Sequence, residues 1–446
     1  MPFYDEWKDN IIDYLLHKKN IFLQSIPSFR YLIVLFMEKM VALFWWVNGL
    51  FLTLPIHYIF LGIIAAYLSF YIYVKLRYPF WSSQPVLHTY DWWRRYLCKT
   101  PYIVQSSPMK LNKYYSDENV KTISYPKLSS KSLKKIRDFL QAHYIPSDAF
   151  LYTITRKHIN TIMNGHNRKC YVSTYLFKTS PESDFQIGGC AFSKPVDIQF
   201  RLHAGEEVKE SANMIDYLCV HRDKKSEKII RPLFQTHEKN VRIDSGIPIS
   251  IFKKEVDICE GVIPLVQYNT YTFHIMRRPI EKLPTAVSCS VMSLNNIAEF
   301  IELVKPMYDF TALSNIGNII GFIEKQEWWI YCMKQEENIL GMYIFKNAHL
   351  TSDHGNGRTI ELVSSVSNTQ NSQLFYLGFL HSFKEVLRIN PNVKWLVGED
   401  IGHSIHVING LLHEKIQMVS KTPTAFYLYN YIHPNTPINK DKFLFL

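Results

Sequence analysis

The chain has 446 residues, of which 47% are hydrophobic, 20% charged and 15% aromatic. These values suit a folded protein and exclude one dominated by disorder, and the length allows two to four compact domains or one large two-lobed one. A formal net charge of +11 fits nucleic acid, anionic lipid or the phosphates of coenzyme A, but without zinc-finger spacing or a dense Arg/Lys helix nucleic acid is not the expected partner.

From Met40 to Val74 the chain runs 35 residues without a formal charge. A helix needs roughly 20 residues to cross the hydrocarbon core. The run begins too far from Met1, and is too long, for a cleavable signal peptide. Pro55 divides it. Ile56 to Val74 spans alone, whereas the first piece reaches back to Tyr31 only by burying Glu38 and Lys39. The expectation is a membrane anchor over 31–77, as a single span or a hairpin, after a cytosolic segment 1–30. Lys75, Arg77, Arg94 and Arg95 place the following flank in the cytosol. Trp81, Trp92 and Trp93 suit either the membrane interface or the core of the next domain.

Residues 101–130 read as an extended connector rich in Ser, Pro, Lys and Tyr. Leu133, Ile136, Phe139, Leu140 and Tyr144 recur at helical spacing over Ser130 to Tyr144. Residues 186–202 and 214–220 read as strands, and Ser226 to Val241 as a helix. The second half repeats that order. Asn295 to Phe310 reads as a helix, and 327–333, 339–346 and 359–366 as strands. Asn371 to Ile389 reads as a helix, Lys394 to Val397 as a strand, His406 to Glu414 as a short helix and Ala425 to Ile432 as a final strand. The pattern predicts a mixed α/β protein of two related lobes. Seven cysteines (Cys98, Cys170, Cys190, Cys219, Cys259, Cys289, Cys332) are scattered and odd in number, which predicts reduced thiols. With no CxxC or HExxH spacing, no metal site is predicted.

Three segments carry chemistry. Phe80-Trp81-Ser82-Ser83-Gln84-Pro85-Val86 follows the apolar run. Tyr217-Leu218-Cys219-Val220-His221 leads into Arg222, Lys224, Lys225, Ser226 and Lys228. Phe426-Tyr427-Leu428-Tyr429-Asn430-Tyr431 lies fifteen residues from the end. In the second, an apolar strand ends in a basic turn before a helix, which is the arrangement of a phosphate site beside backbone N–H groups. A buried strand followed by a solvated basic face gives the same letters.

In order and wording the three segments resemble the glycylpeptide N-myristoyltransferase family, over roughly residues 78–446. Phe273-His274 with Pro279 is a weaker fourth match. The resemblance implies two pseudo-symmetric acetyltransferase-like (GNAT) lobes, 78–280 binding acyl-CoA and 281–446 binding peptide. It implies that Phe80, Trp81, Leu218, Cys219 and Val220 line the acyl-CoA site, and that Lys225, Ser226, Lys228 and Ile229 meet the coenzyme A end. It further implies that the Tyr217 and Leu218 backbone N–H groups form the oxyanion hole. Acyl transfer in the family is direct, so Cys219 is a packing residue rather than a nucleophile, and His221 is a turn residue. The resemblance further implies that the Leu446 carboxylate turns inward and takes a proton from the substrate ammonium, where an ordinary C-terminus would fray in solvent. A free α-carboxyl titrates near 3.5 and a free α-amine near 7.8, so burial must narrow a gap of about 4 units. Tyr144, Phe150, Tyr152 and His274 fall on peptide-groove positions, each of them equally a simple core residue.

The chain departs from the family in that groove. Thr272 stands where a tyrosine is expected two residues before the histidine. Met418-Val419-Ser420-Lys421-Thr422-Pro423 replaces a glycine-rich loop, and the acidic run after Tyr144 is reduced to Ser147 and Asp148. The expected function is transfer of a fatty acyl group, myristoyl, from acyl-CoA to N-terminal glycines of proteins, with no cofactor beyond that co-substrate. The alternatives are a catalytically silent acyl-CoA-binding scaffold and an acyltransferase of the same fold acting on another amine.

Overall fold

The computed structural model describes residues 27–446, apart from 54–55, 98, 107–112, 146–149, 179, 203–204, 223–225 and 353–356. The chain forms two units, Met1–Pro79 and Phe80–Leu446. Most of the expected cytosolic segment 1–30 lies outside the described residues.

In the first unit, helices Pro27–Thr53 and Ile56–Arg77 flank residues 54–55. Pro55, at which the sequence divides the apolar run, lies outside the described residues. Leu61, Ile63, Ile64, Tyr67, Leu68 and Phe70 are all exposed on the second helix. A helix apolar all round has no polar face to offer water. Among the described residues, Tyr58–Arg77 is the one helical segment long and apolar enough to cross a membrane.

The second unit is mixed α/β, built on a 15-stranded sheet. Its main path runs Phe443–Phe445, Phe310–Ser314, Gln186–Arg201, Glu207–Val220, Ile249–Glu255, Met418–Tyr429, Val266–His274, Val393–Glu399, Arg358–Ser367, Asn338–Ser352, Trp328–Gln335 and Val287–Val291. Most neighbours are antiparallel. The parallel pairs are 310–314 with 443–445, 207–220 with 249–255, and 358–367 with 393–399. Two strands from the end of the chain join this sheet. Met418–Tyr429 inserts between Ile249–Glu255 and Val266–His274, and Phe443–Phe445 extends the edge beside Phe310–Ser314. Residues on both sides of position 280 therefore share one sheet.

Helix Ser130–His143 buries Leu133, Ile136, Phe139 and Leu140, the face its spacing predicts, and Ser129 caps it by accepting from Ser132 N at 3.1 Å. Asn371 caps Ser372–Ile389 in the same way, accepting from Leu374 N at 2.9 Å. The helix expected over Asn295 to Phe310 is shorter. It spans Leu294–Val304, and Pro306 then tightens a turn before Phe310–Ser314 forms a buried strand. The final strand breaks at Asn430, whose φ is 62°, leaving Tyr431–Ile432 to pair with Tyr102–Ile103. The 101–130 connector also contains the strand Val120–Ser124.

Candidate functional site

The three sequence segments meet in one aromatic cluster. Phe80, Val86, Ile215, Phe234, Phe252, Tyr427 and Tyr429 are buried together, with Trp81 and Leu218 packed against them. Trp81 lies flat on Phe252 at 5.7 Å between ring centroids, and Phe80 sets its edge against Tyr114 at 5.1 Å. Polar groups fix the joint. Tyr429 donates to Gln84 Oε1 at 2.6 Å, and Asn430 N donates to Pro85 O at 2.7 Å. The Asn430 side chain donates to Pro248 O and Gln105 O, and accepts from Gln105 N. Its left-handed backbone, which Asn tolerates well, aims all these groups at once.

Glu207–Val220 carries a β-bulge at the resembling segment. Cys219 pairs with Cys190 and Asp216 with Phe192, so Tyr217 and Leu218 together face Ala191 alone. Tyr217 takes a φ of 51°, a conformation that is costly for a bulky residue. Its N–H donates to Asp216 Oδ1 at 2.8 Å. That donor is thus engaged by its own neighbour, a contact outside the sequence expectation. Cys219 is buried opposite Cys190, and the six described cysteines are free thiols.

The terminus is inside. Leu446 is 2% exposed and belongs to the same core as Tyr152, Phe192, Tyr217 and Cys219. Its N–H donates to Ala312 O at 2.8 Å, and a terminal carboxyl oxygen accepts from Ser314 N at 2.7 Å. Phe443–Phe445 is held in parallel register against Phe310–Ala312, with Phe443 stacked on Phe310. The apolar tail supplies the burial and the strand edge supplies the hydrogen bonds.

The four expected groove residues fall into two groups. Tyr144 and Tyr152 gather on Tyr217, with ring centroids 5.0 Å apart from Tyr144 to each, and Tyr152 donates to the Tyr217 hydroxyl at 3.2 Å. Burial pushes the Tyr144 hydroxyl well above its usual range, and the Asp216 carboxylate adds to that. Phe150 and His274 instead flank Trp395, at 5.5 and 4.8 Å. Trp395 was not singled out from the sequence; its pairing with His274 across two strands is invisible to local pattern.

Sequence reasoning also missed a charged group facing Tyr144. Lys253 Nζ contacts Glu255 at 2.9 Å and Glu399, which accepts in turn from Thr270 Oγ1. Burial opposes the charge on Lys253, but Glu255 and Glu399 outweigh it and hold the ammonium protonated well above its ordinary range. Lys253 in turn holds the Glu255 carboxyl below its usual value. Lys194 lies close to Asp216, and Lys346 close to Glu255, so carboxylates and lysines alternate around this core.

At the expected coenzyme A end, Ser226 begins helix Ser226–Ser245, Ile229 is buried, Lys228 is exposed and Val220 half-buried. Lys225 lies outside the described residues. The His221 ring lies tilted against that of His143, with centroids 4.1 Å apart, and its backbone N–H donates to Gly188 O at 2.9 Å, a position at the strand end.

No family model matches the chain, and no curated protein sequence matches it. Among solved structures, Saccharomyces cerevisiae N-myristoyltransferase with bound myristoyl-CoA aligns at a TM-score of 0.59, with 13% identity, over 82% of this chain and 90% of that one. A second structure of the yeast enzyme with myristoyl-CoA gives 0.59 and 13% over 81% and 94%. A third, with myristoyl-CoA and inhibitors, gives 0.58 and 13% over 82% and 93%. The chain therefore has the N-myristoyltransferase fold, at an identity that speaks for fold alone.

Proposed function

We propose that the chain is an acyltransferase that moves a fatty acyl group, myristoyl, from acyl-CoA to the N-terminal glycine of client proteins. The observation that carries this reading is the buried terminal carboxyl, held in the core that also holds the Tyr217 bulge. An ordinary C-terminus frays in water, so a terminus drawn into the core argues for a task there.

In this mechanism the pantetheine and acyl chains run past Phe80, Trp81, Leu218, Cys219 and Val220, and Lys225, Ser226, Lys228 and Ile229 meet the coenzyme A end. The incoming ammonium meets the carboxylates of Asp216, Glu255 and Glu399. The Leu446 carboxylate takes one of its protons. The free amine attacks the thioester carbon, forming the C–N bond, and the carbonyl oxygen becomes an oxyanion facing the Tyr217 and Leu218 N–H groups. The C–S bond then breaks and coenzyme A departs as its thiol, with the amine's second proton. Asp216 has to release the Tyr217 N–H for both donors to serve. Tyr144, Phe150, Tyr152 and His274 line the path of the peptide. The two pseudo-symmetric lobes are then 78–280 and 281–446, and the apolar helices of 31–77 anchor the enzyme, with its catalytic unit on the cytosolic side, at the membrane that receives acylated products.

An acyltransferase acting on another amine is the second reading. Residues 418–423, where the family resemblance expects a glycine-rich loop, form the start of strand Met418–Tyr429, paired with Phe273 to Asn269 with a register shift between Met418 and Ser420. The test is acyl-CoA turnover on a panel of glycine-starting, alanine-starting and lysine-containing peptides. Turnover confined to glycine-starting peptides supports the first reading. Turnover on lysine side chains, or on alanine as readily as on glycine, replaces it with the second, and binding of acyl-CoA without any turnover marks a silent scaffold.

A further inference from the structure

Helix Arg156–Met163, the turn before strand Trp328–Gln335 and a bulge in strand Asn338–Ser352 bring three metal-ligating side chains together. His158 Nδ1 lies 3.2 Å and His349 Nε2 3.0 Å from the same oxygen, Glu327 Oε2. The three ligand atoms all lie within 4.8 Å of one another, and all three residues are buried. They are 169 and 22 residues apart along the chain, so no spacing motif announces them.

Each side chain is aimed by its own local structure. Thr155 caps the helix and accepts from His158 N at 3.1 Å, setting His158 in the first turn. Glu327 follows Gln326, whose φ is 56°, and donates its N–H to Phe322 O at 2.9 Å. His349 sits at a φ of 53° where the register between 347 and 351 shifts, and Asn347 Oδ1 accepts from its N–H at 2.9 Å. A left-handed histidine in a strand persists only where its surroundings over-determine it.

We propose that His158, Glu327 and His349 form a binding site for one divalent transition-metal ion of the zinc class. Zinc binds histidine nitrogen and carboxylate oxygen at about 2.0–2.2 Å, so tetrahedral ligand atoms sit roughly 3.3 Å apart. The two separations from Glu327 Oε2, 3.2 and 3.0 Å, lie slightly below that value. Two imidazoles and one carboxylate are a common three-residue zinc set, with the fourth position left to water. Without the ion the ionised carboxylate only accepts, so both facing nitrogens carry protons. Binding moves each proton to the far ring nitrogen and frees the facing lone pair. The His349 carbonyl accepts from Thr153 N at 2.7 Å and from Thr153 Oγ1 at 3.0 Å, beside Tyr152. The ion thereby ties the Phe150–Tyr152 strand to both the helix and the sheet.

The test uses the tag-free full chain, stripped with chelator and then dialysed against Zn(II) or, separately, Co(II). One zinc per chain, with a visible cobalt spectrum of four-coordinate strength that zinc displaces, is expected for the natural sequence, and both signals are lost in Glu327→Gln and in His349→Gln. Absence of stoichiometric uptake overturns the proposal, as does uptake by either variant equal to that of the natural chain. Where a variant fails to fold, X-ray absorption at the zinc edge of the natural chain decides. Two imidazoles and oxygen in the shell support the site, and sulfur ligands overturn it.

Discussion

The Tyr429 hydroxyl donates a 2.6 Å hydrogen bond to Oε1 of Gln84, joining the strand Met418–Tyr429 to the segment that opens the second unit. Gln84 is 3% exposed and Tyr429 fully buried. Two segments 345 residues apart are thus clamped by a bond that water cannot replace.

Tyr429→Phe keeps the ring in its aromatic cluster and leaves the buried Gln84 carbonyl short of a donor. An unsatisfied buried acceptor costs about 1–3 kcal/mol. Urea unfolding of the variant is expected to show a loss of that size. A smaller effect with an unchanged m-value means that the Gln84 side chain has found another donor.

Trp395 is the ring on which both Phe150 and His274 rest. Trp395→Ala is expected to raise KM for the peptide about tenfold, the scale of one lost aromatic anchor, while acyl-CoA affinity stays unchanged. An equal loss of acyl-CoA binding removes Trp395 from the peptide path.

His237 is buried, its Nδ1 2.7 Å from Ser173 Oγ, and burial lowers its pKa to about 3. The folded protein holds this ring neutral, whereas the unfolded chain takes up a proton near pH 6.5. Its contribution is therefore complete above about pH 6.5 and is lost as pH falls from there toward 3. The neighbouring Glu238 acts oppositely. Burial raises its carboxyl to about 7 against the pull of Arg242, and its contribution, present below its unfolded value, is lost as pH rises through about 7. His237→Gln removes only the first effect. Between about pH 6.5 and pH 4.5 its stability is expected to fall less steeply than that of the natural chain, by about 1.4 kcal/mol per pH unit. Parallel pH profiles contradict the assignment.

Elements governed by local pattern were legible in the sequence. The Ser130–His143 face and the Asn371-capped helix both follow from spacing and capping that sit within a few residues. What escaped depends on distant partners. Phe310 continues a helical apolar pattern, yet pairing with Phe200 and Phe443 makes it a strand residue. Trp395, the Lys253–Glu399 contact and the His158–Glu327–His349 cluster each join residues more than twenty positions apart. The Asp216 contact to Tyr217 N is local, but it depends on a left-handed bulge that a bulky residue does not announce.

The account stands on the terminal carboxylate acting as the base, and deletion of Leu446 tests it most directly. Shortening a strand by one residue withdraws its end by about 3.3 Å, taking the carboxylate away from the amine while the acyl-CoA contacts stay in place. Single-turnover acyl transfer by the deleted chain, measured beside acyl-CoA affinity, is expected to slow by about 100-fold or more, the range for loss of a general base, with affinity unchanged. Transfer at the natural rate after the deletion contradicts the central claim.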